Sequence, residues 1–116
     1  MFLNDREIAQ RCKQVGAWLV LDIIQGLGAV PLDFMASGAD AVCGGFHKWL
    51  CGPSGVGFFA FATDRWRSLP PLLHGAMAYG SPDDAFAADR PSRADIGRFE
   101  AALPAFVALA GAKASL

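Results

Sequence analysis

No apolar run in this 116-residue chain reaches the ~18 residues that a membrane span requires. Cysteine is scarce too. Cys12, Cys43 and Cys51 are odd in number and include no Cys-x-x-Cys pair, which argues against a disulfide framework or a zinc site and for free thiols in a reducing cytoplasm. Charge shows no blocks: 10 basic and 11 acidic residues are interspersed, leaving a net charge of −1. There is no basic stripe for nucleic acid and no charged tail. In the opening Met1-Phe2-Leu3-Asn4-Asp5-Arg6-Glu7, charge follows the short apolar stretch rather than preceding it, so the layout is not that of a signal peptide. No internal repeat is visible. Gly26-x-Gly28 lacks the third glycine of a dinucleotide-binding turn. The expected partners therefore include neither nucleic acid nor membrane, and the expected location is the cytoplasm.

What the chain has is apolar surface. Hydrophobic residues make up 53%, and the mean hydropathy of +0.32 is high for a small domain that must cover itself. The pattern predicts a helix from Asn4 or Asp5 to Val15, with Ile8, Ala9, Cys12 and Val15 along one face and Gly16 as its stop. Trp18 to Leu21 reads as a parallel strand buried on both faces. A short helix is expected over Leu32 to Ser37, ended by Gly38, and strands over Ala41 to Cys43 and Val56 to Ala62. The order helix, strand, helix, strand reads as α/β, a partial, mainly parallel sheet with flanking helices. Gly52-Pro53-Ser54-Gly55 is too short for a helical crossover, which leaves the third strand antiparallel or elsewhere in the sheet. Thr63 is placed to cap a short helix through Ser68. Residues 69–95, with Pro70, Pro71, Pro82 and Pro91, read as a long loop. A helix apolar nearly all round is expected from Pro104, with that proline in its first turn.

His47-Lys48 stands between two apolar runs. Burying an ammonium is costly, and in such surroundings a lysine turns toward its neutral, nucleophilic form. Asp22 ends the run Trp18-Leu19-Val20-Leu21, at the strand end where ligands bind in open α/β sheets. A lysine and a carboxylate so placed suggest pyridoxal phosphate (PLP), which needs an amine for its aldehyde and an acid for its ring nitrogen. Spacing alone also allows plainer roles. Lys48 can be a surface lysine after a strand, Asp22 a cap of the next turn, and Gln25 a polar turn residue.

Several ordered motifs sharpen the reading. Asp22-x-x-Gln25, Gly26-Leu27-Gly28-Ala29-Val30-Pro31-Leu32-Asp33, Gly38-Ala39-Asp40 and His47-Lys48-Trp49-Leu50-x-Gly52-Pro53-x-Gly55-Val56-Gly57 together resemble the class V aminotransferases, fold-type-I PLP enzymes. Lys48 lies 26 residues beyond Asp22, in keeping with that family's spacing. The likeness runs from about Arg6 to Phe61 and resumes weakly at Arg98-Phe99-Glu100. The Gln-Gly-Leu-Gly and His-Lys-Trp-Leu variants look most like the branch of isopenicillin-N-epimerase-like proteins, which stands beside the cysteine desulfurases in this family.

The resemblance implies a set of roles. Lys48 would form the Schiff base with PLP and move the substrate's α-proton. Asp22 would hold the ring nitrogen protonated, Gln25 would donate to the ring hydroxyl oxygen, and His47 would lie beside the cofactor near its phosphate. The substrate would be an amino acid, and the full-length family implies a homodimer. Residues 1–116 would then be a fragment of the large PLP-binding domain, without the small domain. His74 and Tyr79 are loop residues that either face a substrate or are simply solvated.

Departures are also visible. Where relatives often carry Ser or Thr two residues before the His, this chain has Gly45. Where they read x-Gly-Thr after Arg-Phe-Glu, it has Ala102 and Leu103. Ile24 replaces a smaller residue. Two lost hydroxyls imply a looser hold on phosphate, by about 1.5–3 kcal/mol each. Cys51 stands too close to Lys48 to serve as a desulfurase's mobile cysteine. The alternative from another class is a non-catalytic module that only binds or supports. A hydrolase using Cys51 or Ser54 with His47 lacks an oxyanion motif.

Overall fold

The computed structural model describes residues 5–80 and 90–116. They fall into two compact units, Met1–Arg65 with Ala105–Leu116, and Trp66–Pro104.

The first unit is α/β. Helix α1, Asp5–Gln14, carries Asp5 and Glu7 in its first turn and Arg11 and Lys13 in its last, the order a helix dipole favours. Of its expected apolar face, Ala9 is buried and Cys12 half-buried. Ile8 is exposed, and Val15 lies exposed past the helix end. Helix α2, Phe34–Ser37, is capped by the Asp33 side chain, which accepts from the Ala36 amide, and is closed by Gly38 at φ 75°. A side chain at Gly38 would suffer that left-handed backbone and would stand 3.1 Å from the Ala9 Cβ. Arg6 adds a bond from Nε to the Ala36 carbonyl at 3.2 Å.

Three strands follow in spatial order: β1 (Val20–Asp22), β2 (Ala41–Gly45) and β3 (Gly57–Phe61). β1 and β2 are parallel, joined through α2, while β3 returns antiparallel to β2. The sheet is therefore mixed, as the short Gly52–Gly55 connection requires. The expectation that the first strand is buried on both faces fails: Val20 is 47% exposed, against 0% for Ala41 and 3% for Val42 on the central strand. Among the described residues β1 pairs with β2 alone and stands at the edge of the sheet, which leaves Val20 exposed while Trp18, Leu19 and Leu21 are half-buried.

The pleat sorts the side chains. Val20, Asp22, Ala41, Cys43, Gly45, Phe59 and Phe61 share one face; Leu21, Val42, Gly44, Phe58 and Ala60 share the other. Trp18 meets Phe61 edge-on at 6.3 Å on the first face, and Phe46 meets Phe58 at 5.9 Å on the second. Below the N-terminal ends of β1 and β2 lies Asp40, buried, accepting from the Leu19 amide at 2.9 Å and from Arg65 Nη1 at 2.7 Å. The Arg65 guanidinium also lies 4.3 Å from the centre of the Trp18 ring.

Helix α3, Phe106–Ser115, starts later than the sequence predicts. Ala105 holds the cap position in a non-helical conformation (φ −73°, ψ 84°), so Pro104 precedes the cap and does not occupy the first turn. α3 packs through its small residues. A methyl added at Gly111 would stand 3.0 Å from the Pro53 ring, and one at Gly52 would stand 3.0 Å from Ser115 Oγ. Ala112 is buried on this side, whereas Phe106 and Val107 are exposed.

In the second unit Trp66 is buried and meets Phe99 edge-on at 6.3 Å. The Arg93 amide donates to the Ala78 carbonyl at 2.9 Å, beside a bridge between Tyr79 and Ser92. Asp95 caps the 3-10 helix Ile96–Phe99 through the Gly97 amide and pairs with Arg93 at 2.8 Å. The expected long loop over 69–95 thus contains a 3-10 turn at Ala76–Ala78 and one bridge; residues 81–89 lie outside the described residues. Among the described residues no helix is long and apolar enough to cross a membrane.

Candidate functional site

Parallel pairing gives β1 and β2 a common C-terminal edge, the edge of an open α/β sheet at which ligands bind. Asp22 is the last residue of β1 and stands in register with Cys43 of β2. β2 runs on to Gly45 and then turns through His47 and Lys48. The Asp22 turn and the Lys48 turn therefore leave the sheet at the same edge.

Each turn is held by its own backbone. After β1, the Ile23 amide still bonds Cys43 of β2 at 2.9 Å, and the chain then coils: the Gly26 and Leu27 amides both donate to the Ile23 carbonyl at 2.9 Å. Asp22 takes part, as Oδ1 accepts from the Ile24 amide at 3.0 Å. This is the turn-capping role that the sequence allowed. It uses one oxygen, and Oδ2 has no protein partner among the described residues. Gln25 sits exposed on the coil.

After β2, the Gly52 amide donates to the Phe46 carbonyl at 2.8 Å and closes a loop around His47 to Cys51; inside it the Cys51 amide bonds the Lys48 carbonyl at 2.9 Å. Cys51 takes the left-handed conformation at φ 55°, unusual for a residue with a side chain. Helix α3 supports this loop from outside, through Gly111 on Pro53 and Ser115 on Gly52. The sequence reading missed that support, whose only trace is the small-residue spacing of Gly111 and Ser115 on an otherwise apolar helix.

Two glycines bring the turns together. Gly28, at φ 87°, lies so close to the Trp49 backbone that an added methyl would stand 3.0 Å from its carbonyl carbon and oxygen. At Gly45 the same addition would stand 3.1 Å from both Cε1 and Nδ1 of His47 and 3.3 Å from the Ile24 methyl. His47 and Ile24 thus flank one point at the end of β2.

Asp22, Gln25, His47 and Lys48 are all exposed. For Lys48 this corrects the expectation of a buried ammonium. Its sequence neighbours are apolar, but it stands exposed on the closed loop that follows β2. No hydrogen bond or ion pair joins Lys48 to Asp22. His74 and Tyr79 lie in the other unit, with rings 6.2 Å apart and Arg90 stacked 3.8 Å over the tyrosine. Among the described residues, no group of three or more His, Cys, Asp or Glu is placed to hold a metal ion.

Comparison with known proteins gives this edge its class. The family described as Aminotransferase class-V matches residues 3–116, and the chain belongs to that family. A cysteine desulfurase of Frankia sp. (strain EuIK1) is 36% identical over 74 residues, covering 63% of this chain and 17% of that protein. An isopenicillin N epimerase of Amycolatopsis lactamdurans is 38% identical over 71 residues, covering 61% of this chain and 18% of its own. The apo structure of a cysteine desulfurase from Thermococcus onnurineus NA1 superposes with a TM-score of 0.79 over 95% of this chain and 27% of that one; at 24% identity it establishes the shared fold. The chain spans only a small part of each relative's length, and relatives of both names match it at similar identity.

Proposed function

We propose that this chain is the lysine-bearing segment of a PLP-dependent class V aminotransferase-like enzyme that acts at the α-carbon of an amino acid. The observation that carries the reading is the shared edge: Asp22 ends β1 and Lys48 follows β2, on parallel neighbouring strands. Two features fit the cofactor: Asp22 Oδ2 and the Lys48 amine have no protein partner among the described residues.

When bound, PLP supplies an aldehyde that an amine can capture and a pyridinium that withdraws electrons. Lys48 would provide that amine and would carry the substrate's α-proton on Nζ. Asp22 holds the proton on the ring nitrogen through Oδ2 while Oδ1 stays with the Ile24 amide. Gln25 donates to the ring hydroxyl oxygen, and His47 stands on the phosphate side. The same reading carries a homodimer and a cytoplasmic location.

The test is to titrate PLP, trap the imine with borohydride and map the modified lysine. Labelling concentrated on Lys48 and lost in Lys48→Ala supports the reading. Equal labelling of Lys13, Lys48 and Lys113 sinks it. It would favour a second reading, a binding or structural module without catalysis, to which the exposure of Lys48 lends weight.

A further inference from the structure

Strand β1 brings Asp22 to the site but does little to fix its own place. It has three residues and, among the described residues, pairs with β2 alone. A slip of one residue against β2 would turn every side chain of β1 to the opposite face and carry Asp22 off the face it shares with Cys43 and Gly45. At the Asp22 end, the Ile23 amide bonds the Cys43 carbonyl. A backbone bond of that kind re-forms with another residue after a slip, so it does not choose the register. The Asp22 carboxylate does not choose it either, because its bond to the Ile24 amide lies within the turn and moves with it.

The register is held from the far end of the strand. Asp40 grips Leu19 twice: its amide donates to the Leu19 carbonyl at 2.9 Å, and its Oδ2 accepts from the Leu19 amide at 2.9 Å. The carboxylate is itself held, since Arg65 Nη1 donates to Oδ1 at 2.7 Å. A carboxylate accepts from any amide, so these bonds anchor β1 and leave the choice of residue to Trp18. The centre of its ring lies 4.3 Å from the same guanidinium, and the ring meets Phe61 edge-on at 6.3 Å. A slipped strand would set Ala17 or Leu19 in that place and lose both contacts.

We infer that Asp40 and Arg65 are positioning residues for Asp22: they pin the start of β1 so that its last residue, about 10 Å beyond Leu19, comes to the sheet edge beside the Lys48 turn. This rests on the PLP reading and goes beyond it, because it gives a part in cofactor capture to a pair at the opposite end of the sheet.

The experiment has two arms on the full chain. The first needs no cofactor. In the wild type the Leu19 amide should be protected from hydrogen exchange, and NMR contacts should pair Val20 with Ala41 and Asp22 with Cys43. Asp40→Ala should lose those contacts while the pairs between β2 and β3 persist. A native β1 register in folded Asp40→Ala overturns the inference. A Leu19 amide that exchanges freely in the wild type overturns it even if the variant fails to fold.

The second arm is a double-mutant cycle on borohydride trapping of Lys48 by PLP, compared at equal folded fraction. Asp22→Asn should weaken trapping about tenfold in the wild-type background, the size expected for a bond to a charged group. In the Asp40→Ala background the same substitution should change it by a factor close to unity, because Asp22 is already misplaced. A tenfold effect of Asp22→Asn in both backgrounds would show that Asp40 serves stability alone and would overturn the inference while leaving the PLP reading intact. Asp40→Asn, which keeps an acceptor for the Leu19 amide, should restore both the register and most of the trapping. Register restored without trapping would point to the charge of Asp40 rather than its grip on β1, and would also overturn it. Failure of Lys48 to label in the wild type would remove the PLP reading and with it Asp40's part in cofactor capture, whatever the first arm shows.

Discussion

Asp40 and Arg65 lock the foot of the sheet: Arg65 Nη1 donates to Asp40 Oδ1 at 2.7 Å while the Leu19 amide donates to Oδ2 at 2.9 Å. One residue thereby ties β1, β2 and the segment after β3, since the Ala62 amide also bonds the backbone carbonyl of Asp40 at 2.9 Å. Burial pushes this carboxyl up. The hydrogen bonds from Leu19 and Arg65, with the charges of Arg65 and Lys13, outweigh it and hold Asp40 below its ordinary 3.8.

The first prediction follows from that balance. Asp40→Ala removes the acceptor of two part-buried hydrogen bonds, from the Leu19 amide and from Arg65, and should cost about 1–3 kcal/mol in urea unfolding. The lower half of that range is expected for the Arg65 share, because its side chain is 38% exposed and solvent screens the pair. The sign with pH is fixed by the depressed folded-state value. The stabilisation is fully present above the unfolded carboxylate's ~3.9 and is lost as pH falls through the lower folded value. Asp40→Asn should flatten the acid limb of the stability–pH curve. An unchanged limb would show that the pair does not drive it.

The second prediction concerns Gly28, where the two turns of the candidate site touch. Gly28→Ala places a side chain at φ 87° and 3.0 Å from the Trp49 backbone, and backbone cannot swing aside as a flexible side chain can. The expected cost is about 1–3 kcal/mol. Gly55→Ala, also at a positive φ but with nothing within 4 Å, should cost less. Equal losses at the two positions would attribute the effect to backbone strain alone and deny the turn-to-turn contact.

Much of this architecture is legible in the sequence because it is local. Gly38 ends α2, Asp33 caps it, and the brevity of Gly52–Gly55 forces β3 to turn back. The misreadings come where burial depends on distant partners. Lys48 sits between apolar runs yet is exposed, because a closed turn carries it away from them. Asp40 was visible only as part of a motif. Its partner is twenty-five positions away and no periodicity connects them. Gly45 reads as a lost hydroxyl in the sequence, whereas in the fold the His47 ring and the Ile24 methyl lie close to the place of its missing side chain. The start of α3 was misplaced because Pro104 fits a first turn, while the backbone at Ala105 is not yet helical.

The third prediction is self-association. Phe106 and Val107 on α3 are 70% and 89% exposed, and Phe59 is half-exposed on the sheet. Apolar patches above a few hundred Å² are uncommon on soluble monomers. Sizing at micromolar concentration should show oligomers that dissociate on dilution, and Val107→Glu should shift them toward monomer. A wild-type chain that stays compact and monomeric, without binding a hydrophobic dye, would contradict this.

The last prediction separates the two oxygens of Asp22. Oδ1 holds the Ile24 amide at 3.0 Å, a structural bond on an exposed turn, whereas Oδ2 has no protein partner among the described residues. Asn retains an acceptor for Ile24 and removes the charge; Ala removes both. Asp22→Asn should therefore unfold within about 0.5 kcal/mol of the wild type, while Asp22→Ala should lose about 0.5–1.5 kcal/mol. Cofactor capture should follow a different order. If the carboxylate holds a ring proton, a neutral amide cannot replace it, and both variants should weaken PLP trapping at Lys48 by roughly tenfold, the size of a bond to a charged group. The two variants would then be alike in trapping and unlike in stability. Trapping that instead tracks stability, with Asp22→Asn like the wild type, would reduce Asp22 to the cap of its own turn and leave Lys48 without the acid that the proposed chemistry requires.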